Sequence, residues 1–395
     1  MGRLADGRGP GRQRAARAGS ARAGRMSLPA IDTAIGGGAI LITGGAGFIG
    51  ANLADRLAGE GRRVRVFDSL GRPGVERNLE WLVARHGERI EPVIGDVRDG
   101  DVLTRAADGI AAAFHFAAQV AVTTSLADPR ADLETNVLGT FHLLEAIRQR
   151  SPRAPVIFAS TNKVYGDLGA FEMVSTAQGH VPADPALATH GVGEAQPLDF
   201  HTPYGCSKGA ADQYVLDYAR SYGLRAAVLR MSCIYGQRQM GTEDQGWVAH
   251  FLIRALEGQP ITLFGDGRQV RDICDVRDTS GAYLAALGAI DRIAGQAFNW
   301  GGGPANAVSL LTLIEEIGRI TGRNPQVEFA DWRPGDQRWF IADTRAIDAA
   351  LGLPPRTGWR QGVADLARWL AEARGLPLAA TAGDAHPQPQ RRAAL

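Results

Sequence analysis

The sequence predicts an α/β fold in which a doubly wound parallel sheet is followed by a smaller C-terminal α/β lobe. Three observations carry that prediction. A short apolar strand, Ala39 to Thr43, runs into a glycine-rich turn and then into an apolar-periodic segment. A second apolar strand, Val64 to Phe67, ends on Asp68. Strand-like and helix-like segments then alternate as far as Arg230, a pattern that implies parallel strands with helices on both faces.

The turn reads Gly44-Gly45-Ala46-Gly47-Phe48-Ile49-Gly50 and fits both G-x-G-x-x-G, from Gly45, and G-x-x-G-x-x-G, from Gly44. Glycines permit the tight turn and let the backbone approach a pyrophosphate, which then rests on the N-terminus of the helix opening at Phe48. Asp68, closing the next strand, suits the ribose hydroxyls of an adenosine and repels a 2′-phosphate, which favours NAD over NADP. A Gly-rich loop alone occurs in any α/β protein. Strand, glycines, helix, strand and terminal Asp in register specify a dinucleotide site, and with it a Rossmann sheet. A third strand, Ile90 to Ile94, closes on Asp96, within reach of an adenine. Ala112 to Phe116 reads as a fourth, leading into Ala117-Ala118-Gln119, whose small residues let a cofactor pass. A helix near 131–150, a strand from Val156 to Ser160, a helix from Tyr204 to about Tyr222 and a strand from Ala226 to Arg230 complete the alternation. Ligands of such a sheet bind at the strand C-terminal ends.

Beyond Arg230 the regularity falls, and aromatic, Gly and Arg residues accumulate. The expected organisation is a disordered extension over 1–37, a cofactor-binding domain over 38–235, and a substrate lobe mainly over 236–374 that shares the insertion 167–202. A disordered tail over 375–395 ends the chain. The first 25 residues hold seven Arg and one Asp, and without them the net charge would be −5 instead of +1. An Arg-rich, Ala-rich, acid-poor start resembles an organelle transit peptide; the preferred reading is that translation begins at Met26.

Composition narrows the function class. Net charge is near zero with no basic stripe, which argues against a nucleic-acid partner. No apolar run approaches a membrane span. Three cysteines, Cys206, Cys233 and Cys274, lie far apart without ligand spacing, so neither a disulfide framework nor a metal site is expected, and a reducing, cytoplasmic setting is.

The stretch HTPYGCSKGAADQY holds Tyr204 and Lys208 four residues apart, on one face of a helix. An ammonium beside a phenol favours phenolate, lowering the phenol's pKa from its usual value of about 10. The expectation is a Tyr able to take a proton from an alcohol. Taken alone, a Tyr-x-x-x-Lys pair is an ordinary helix surface; its place downstream of the glycine turn gives it weight.

GGAGFIG, the Tyr-x-x-x-Lys pair and Thr161 shortly before Val164-Tyr165-Gly166 together resemble the extended short-chain dehydrogenase/reductase family, which includes nucleotide-sugar epimerases and dehydratases. The resemblance runs from about Gly38 to Leu370. Within the family, FHFAAQVAVTTSLADP, ASTNKVYGDL, LDFHTPYGCSKGAADQYVLDYAR, YGQRQMGTEDQGWVAHF and GDGRQVRDICDVRD are most similar to its CDP-paratose (CDP-tyvelose) 2-epimerase branch. The resemblance implies that Tyr204 is the base, that Lys208 lowers its pKa and binds the nicotinamide ribose, and that Thr161 hydrogen-bonds the reacting sugar hydroxyl. Singly, Thr161 also fits a strand-end turn and Tyr204 an interface aromatic. NAD contacts are expected from Gly44, Gly47, Phe48, Ile49, Gly50, Asp68, Asp96, Val97, Ala117, Ala118, Gln119 and Asn136, as well as Tyr204 and Lys208. Arg271 falls where the family binds the substrate diphosphate, and Arg333 and the helix start at Gln245-Gly246-Trp247 suit an anion too. Either Arg could instead hold a loop through a carbonyl. Thr123 and Thr124 are placed to face the sugar.

Two positions discriminate within the family. The dehydratases carry Asp-Glu where this chain has Asn162-Lys163, and neither an amide nor an ammonium reproduces that acid–base pair. The R-x-x-N-x-Y-G pattern is broken by Cys233 at the Asn place, which weakens transfer of substrate contacts from the 4-epimerases. What the resemblance implies is an isomerase acting on a CDP-3,6-dideoxyhexose at carbon 2, in carbohydrate (lipopolysaccharide) biosynthesis. A UDP-hexose 4-epimerase is the alternative, and a non-catalytic NAD-binding scaffold the other. The family also implies a homodimer or homotetramer built on the helices near 133–150 and 207–222.

Overall fold

Seven parallel strands form the main sheet of the computed structural model, which describes residues 37–378; the expectations for 1–36 and 379–395 lie outside the described residues. The strands are β1 (Ala39–Thr43), β2 (Val64–Asp68), β3 (Ile90–Ile94), β4 (Ile110–His115), β5 (Val156–Thr161), β6 (Ala226–Met231) and β7 (Ala297–Trp300). Their order is β7-β6-β5-β4-β1-β2-β3. The central strands, AILIT and IAAAFH, are buried along their whole length, as strands covered on both faces must be. At the edge, β3 alternates in exposure and carries Pro92, whose missing N–H an edge strand tolerates.

The chain crosses from β3 to the far side of β1 to make β4, so the connections leave the sheet in opposite directions on the two sides of the β1/β4 pair. A crevice results at the C-terminal ends of these strands, where ligands of doubly wound sheets bind. Its floor is tight. Phe116 N–H donates to Thr43 O at 3.0 Å, and a Cβ on Gly44 would lie 2.7 Å from Ala117 N. With φ at +68° as well, only glycine fits there without strain.

The helix expected near 131–150 is broken locally. Pro129–Leu133 and Gly139–Arg150 are joined by a wide i→i+5 turn over Glu134–Leu138, a feature common at functional sites. A second difference lies after Arg230. Helix Val276–Gly288 and β7 return to the large sheet, where Tyr283, Leu287 and Trp300 pack with Leu57 and Phe114. The rest builds a second core in which Leu252, Ile317 and Leu366 meet, from helices Trp247–Glu257, Leu310–Thr321 and Trp359–Arg374. Strand Val270–Asp275 pairs with Cys233–Tyr235, Ala307–Ser309 and Trp339–Phe340 beneath it. From the insertion, the hairpin Met173–Ser175/His180–Pro182 reaches this lobe, His180 N–H donating to Arg268 O at 2.9 Å. Leu376 and Leu378 pack on the same core, so the packing continues past Gly375.

Candidate active site

A cavity of about 980 Å³ opens over the C-terminal ends of the main strands and is closed from above by the lobe. At one end, Gly47, in extended conformation, caps helix Phe48–Gly59 without contributing a side chain. The first amides of that helix therefore face the cavity unscreened, and Gly44, Phe48, Ile49 and Gly50 line it with them. Asp68 braces this turn. Its Oδ2 accepts from Ala46 N–H at 3.0 Å and its Oδ1 from Leu70 N–H at 2.9 Å, while burial pushes its pKa up. Asp96 lies farther along, its carboxyl held below the ordinary range by Arg98 at 2.6 Å.

The reacting end is built from β5 and helix Thr202–Tyr222. Thr161 ends β5; its hydroxyl donates to Asn162 Oδ1 at 3.4 Å and lies beside the phenol of Tyr204, whose pKa burial raises and this hydroxyl lowers. Pro203 occupies the first turn of the helix, and Tyr204 N–H donates to Ser125 Oγ at 3.2 Å, which fixes the helix start against Val122–Ala127. Lys208, one turn on, places its ammonium 4.1 Å from the centre of the Phe158 ring. Burial pushes Lys208 down to about 7, against the opposing charges of Asp212 and Asp132. Beneath it, His115 is hydrogen-bonded to Thr43 Oγ1 at 2.6 Å and Thr140 Oγ1 at 3.0 Å. Burial, aided by the Lys208 charge, drives this imidazole to about 3, so it stays neutral.

One electrostatic expectation is corrected. Burial raises Tyr204 to about 12; the Thr161 hydroxyl opposes this and Asp132 adds to it. Lys208 is not among the causes, and desolvation of the phenolate decides the direction.

Every expected site residue but one lines this cavity, from the glycine turn through Val97, Ala117, Ala118 and Gln119 to Thr123, Thr124, Gln245, Trp247, Arg271 and Arg333. The exception is Asn136. It is buried away from the cavity at the wide helical turn. Its Oδ1 accepts from Gln119 N–H at 2.8 Å, and its Nδ2 donates to Gln119 O at 3.1 Å and Ser207 Oγ at 2.9 Å. With its polar atoms committed, Asn136 positions the Gln119 loop instead of touching a ligand. Arg271 combines both readings open to it. It lines the cavity, yet Nη1 donates to Val270 O at 2.9 Å and Nη2 to Asp336 at 2.7 Å. Arg333 stacks on Phe264, 3.7 Å from the ring centre, and donates to Glu243 O at 3.1 Å.

Other lining residues were not singled out as ligands by sequence reading: Lys163, Ser160, Gln239 and Gln269. The buried Oδ1 of Asn78, Oγ1 of Thr123, Oγ of Ser160, Oε1 of Gln239 and Oε1 of Gln269 have no hydrogen-bond partner among the described residues. Buried polar atoms without partners are costly, so five along one cavity mark surface built for a polar ligand. No single motif flags these residues; only their convergence does.

The family model described as NAD dependent epimerase/dehydratase matches residues 40–301. The chain belongs to the NAD-dependent epimerase/dehydratase family. It is 42% identical to the CDP-paratose 2-epimerase of Salmonella typhi, over 84% of this chain and 98% of that one. It is 33% identical to the UDP-glucose 4-epimerase of Mycolicibacterium smegmatis, over 82% and 96% of the two chains. Among solved structures, the Thermus thermophilus UDP-glucose 4-epimerase complex with NAD superposes with a TM-score of 0.71 at 30% identity, covering 85% and 99%.

NAD is the cofactor of this epimerase/dehydratase chain. The uncapped helix start beside Gly47 fits its pyrophosphate, and Asp68 lines the same cavity at the end of β2, where an acidic residue suits the adenosine ribose. Among the described residues no helix is long and apolar enough to cross a membrane, and no group of three or more His, Cys, Asp or Glu is placed to hold a metal.

Proposed function

We propose that the chain is an isomerase that interconverts CDP-paratose and CDP-tyvelose by transient oxidation at sugar carbon 2. One observation carries the epimerase reading. Thr161, Tyr204 and Lys208 meet in the cofactor cavity, while Asn162 and Lys163 stand where a dehydratase needs two carboxylates. Similarity to the Salmonella typhi enzyme over nearly its whole length supports the CDP-dideoxysugar substrate.

In this reading Thr161 orients the carbon-2 hydroxyl, and Tyr204, as phenolate, accepts its proton. NAD, held by the glycine turn, Asp68 and Lys208, would supply the hydride acceptor for that carbon and then the donor at its opposite face, which keeps the net reaction redox-neutral. Tyr204 gives the proton back in the second half. Lys208, one turn along the same helix, would hold the nicotinamide ribose of the bound cofactor. A 3,6-dideoxyhexose lacks a hydroxyl at carbon 3, which removes a route for retro-aldol cleavage of the ketone. Arg271 and Arg333 hold the diphosphate. Exposed Leu133, Leu138 and Phe141 along 129–150, and Tyr214 on helix Thr202–Tyr222, support self-association as a homodimer or homotetramer.

Tyr204→Phe tests the chemistry. The account expects turnover to fall by about a hundredfold or more with NAD still bound. Unchanged turnover overturns it.

A further inference from the structure

We propose that Lys163 is a binding determinant for the substrate diphosphate, acting by sharing Asp336 with Arg271 and so leaving positive charge available to the anion. The inference rests on the nucleotide-sugar reading and deepens it. Lys163 follows Thr161 by two residues and lines the same cavity. Its Nζ donates to Gly335 O at 2.9 Å and lies 3.8 Å from Oδ1 of Asp336. That same oxygen accepts from Nη2 of Arg271 at 2.7 Å. Two cations therefore converge on one carboxylate oxygen, at the cavity wall where segment 333–336 meets the end of β5.

The charge balance decides the consequence. An isolated Arg–Asp pair presents no net charge to a ligand. With Lys163 drawing on the same carboxylate, the trio carries one positive charge in excess, beside a guanidinium whose planar fork suits phosphate. Asp336 behaves as a shared counter-ion should. Burial pushes its carboxyl up, but the Arg271 and Lys163 charges carry it below the ordinary range. Burial pushes Lys163 down, and Arg271 adds to this, while Asp336, the Cys233 thiol and Asp167 oppose it. Lys163 thus gives up its proton at lower pH than an ordinary lysine, and anion affinity should decline as pH rises through that point.

The backbone here is held independently of the side chain. Lys163 N–H donates to Thr161 Oγ1 at 3.3 Å, and its carbonyl packs on Gly205, where a Cβ would come within 3.2 Å. Asn162 Nδ2 donates to Gln337 Oε1 at 3.1 Å, and Gln337 Nε2 to Gly166 O at 2.7 Å, so the turn stays tied to the lobe when residue 163 changes.

The test is calorimetric titration of the full-length, NAD-loaded protein with CDP, alongside Lys163→Met, Lys163→Arg, Asp336→Asn and the double variant Lys163→Met/Asp336→Asn. Lys163→Met should weaken CDP binding by about tenfold or more, with Lys163→Arg close to wild type. Asp336→Asn should bind at least as tightly as wild type, and the double variant should regain most of what Lys163→Met loses. A purely structural role predicts the opposite for the double variant, a further loss. Wild-type affinity in Lys163→Met, or no recovery in the double variant, overturns the proposal while leaving the nucleotide-sugar reading intact. A wild-type protein that binds neither CDP nor UDP overturns both. Should Lys163→Met lose bound NAD, Lys163→Gln with the same titration decides by the same criteria.

Discussion

Replacing Asp212 by Asn should cost both stability and the charge state of the catalytic lysine. Asp212 is fully buried on helix Thr202–Tyr222, one turn beyond Lys208. Its two oxygens accept from Nε and Nη2 of Arg230 on β6 at 2.9 and 3.0 Å, and that guanidinium is only 6% exposed. Arg230 also donates to the Tyr165 hydroxyl at 3.1 Å, which donates in turn to Asn299 Oδ1 at 2.8 Å, so the pair links the helix to β6, the turn after β5, and β7. An amide leaves the guanidinium buried without a counter-ion, a loss of roughly 3–5 kcal/mol. At about 2 °C per kcal/mol for a chain of this size, thermal unfolding should begin about 6–10 °C lower. The second effect follows from Lys208. Asp212 is the first of the two charges that resist its fall to about 7, so the variant's lysine loses its proton at a lower pH. Since Lys208 is to hold the cofactor ribose as an ammonium, the alkaline limb of turnover should move to lower pH. Differential scanning calorimetry and a pH–rate profile read the two effects separately. A melting point within about 2 °C of wild type, with an unmoved limb, would refute the reasoning.

Two further outcomes follow from the geometry. Gly44→Ala places a methyl group 2.7 Å from Ala117 N at a φ of +68°, so the purified variant should lose its NAD, with affinity down about a hundredfold; a cofactor absorbance equal to wild type would contradict this. His115 is neutral in the fold because burial depresses its pKa from 6.5 to about 3. Unfolded chains bind that proton first as pH falls, so the contribution is complete above about 6.5 and is lost progressively toward about 3, up to about 5 kcal/mol in all. Acid unfolding of His115→Asn should be flatter across that window, and an identical pH dependence would count against the assignment.

Much of this arrangement is legible in the chain because its signals are local. β1, the glycine turn and Asp68 lie within thirty residues, and Tyr204 and Lys208 share one helix face. What escapes is long-range. β7 is four residues, Ala-Phe-Asn-Trp, too short to show a period, and it joins the sheet only through pairing with β6. Asn136 looks like a ligand by position, yet its hydrogen bonds are claimed by Gln119 and Ser207. The spacing of Tyr204 and Lys208 foretold proximity but not the burial that raises the phenol to about 12. Lys163 reads as the absence of a carboxylate until Asp336, far along the chain, is seen beside it.

Proton NMR of the purified protein mixed with CDP-paratose in D2O, with no NAD added, tests the central claim most directly, with UDP-glucose and UDP-galactose in parallel tubes. The account predicts new anomeric signals of CDP-tyvelose alone, with the carbon-2 proton retained because the hydride leaves and returns without meeting solvent. Turnover of a UDP-hexose instead, or product carrying deuterium at carbon 2, would contradict it.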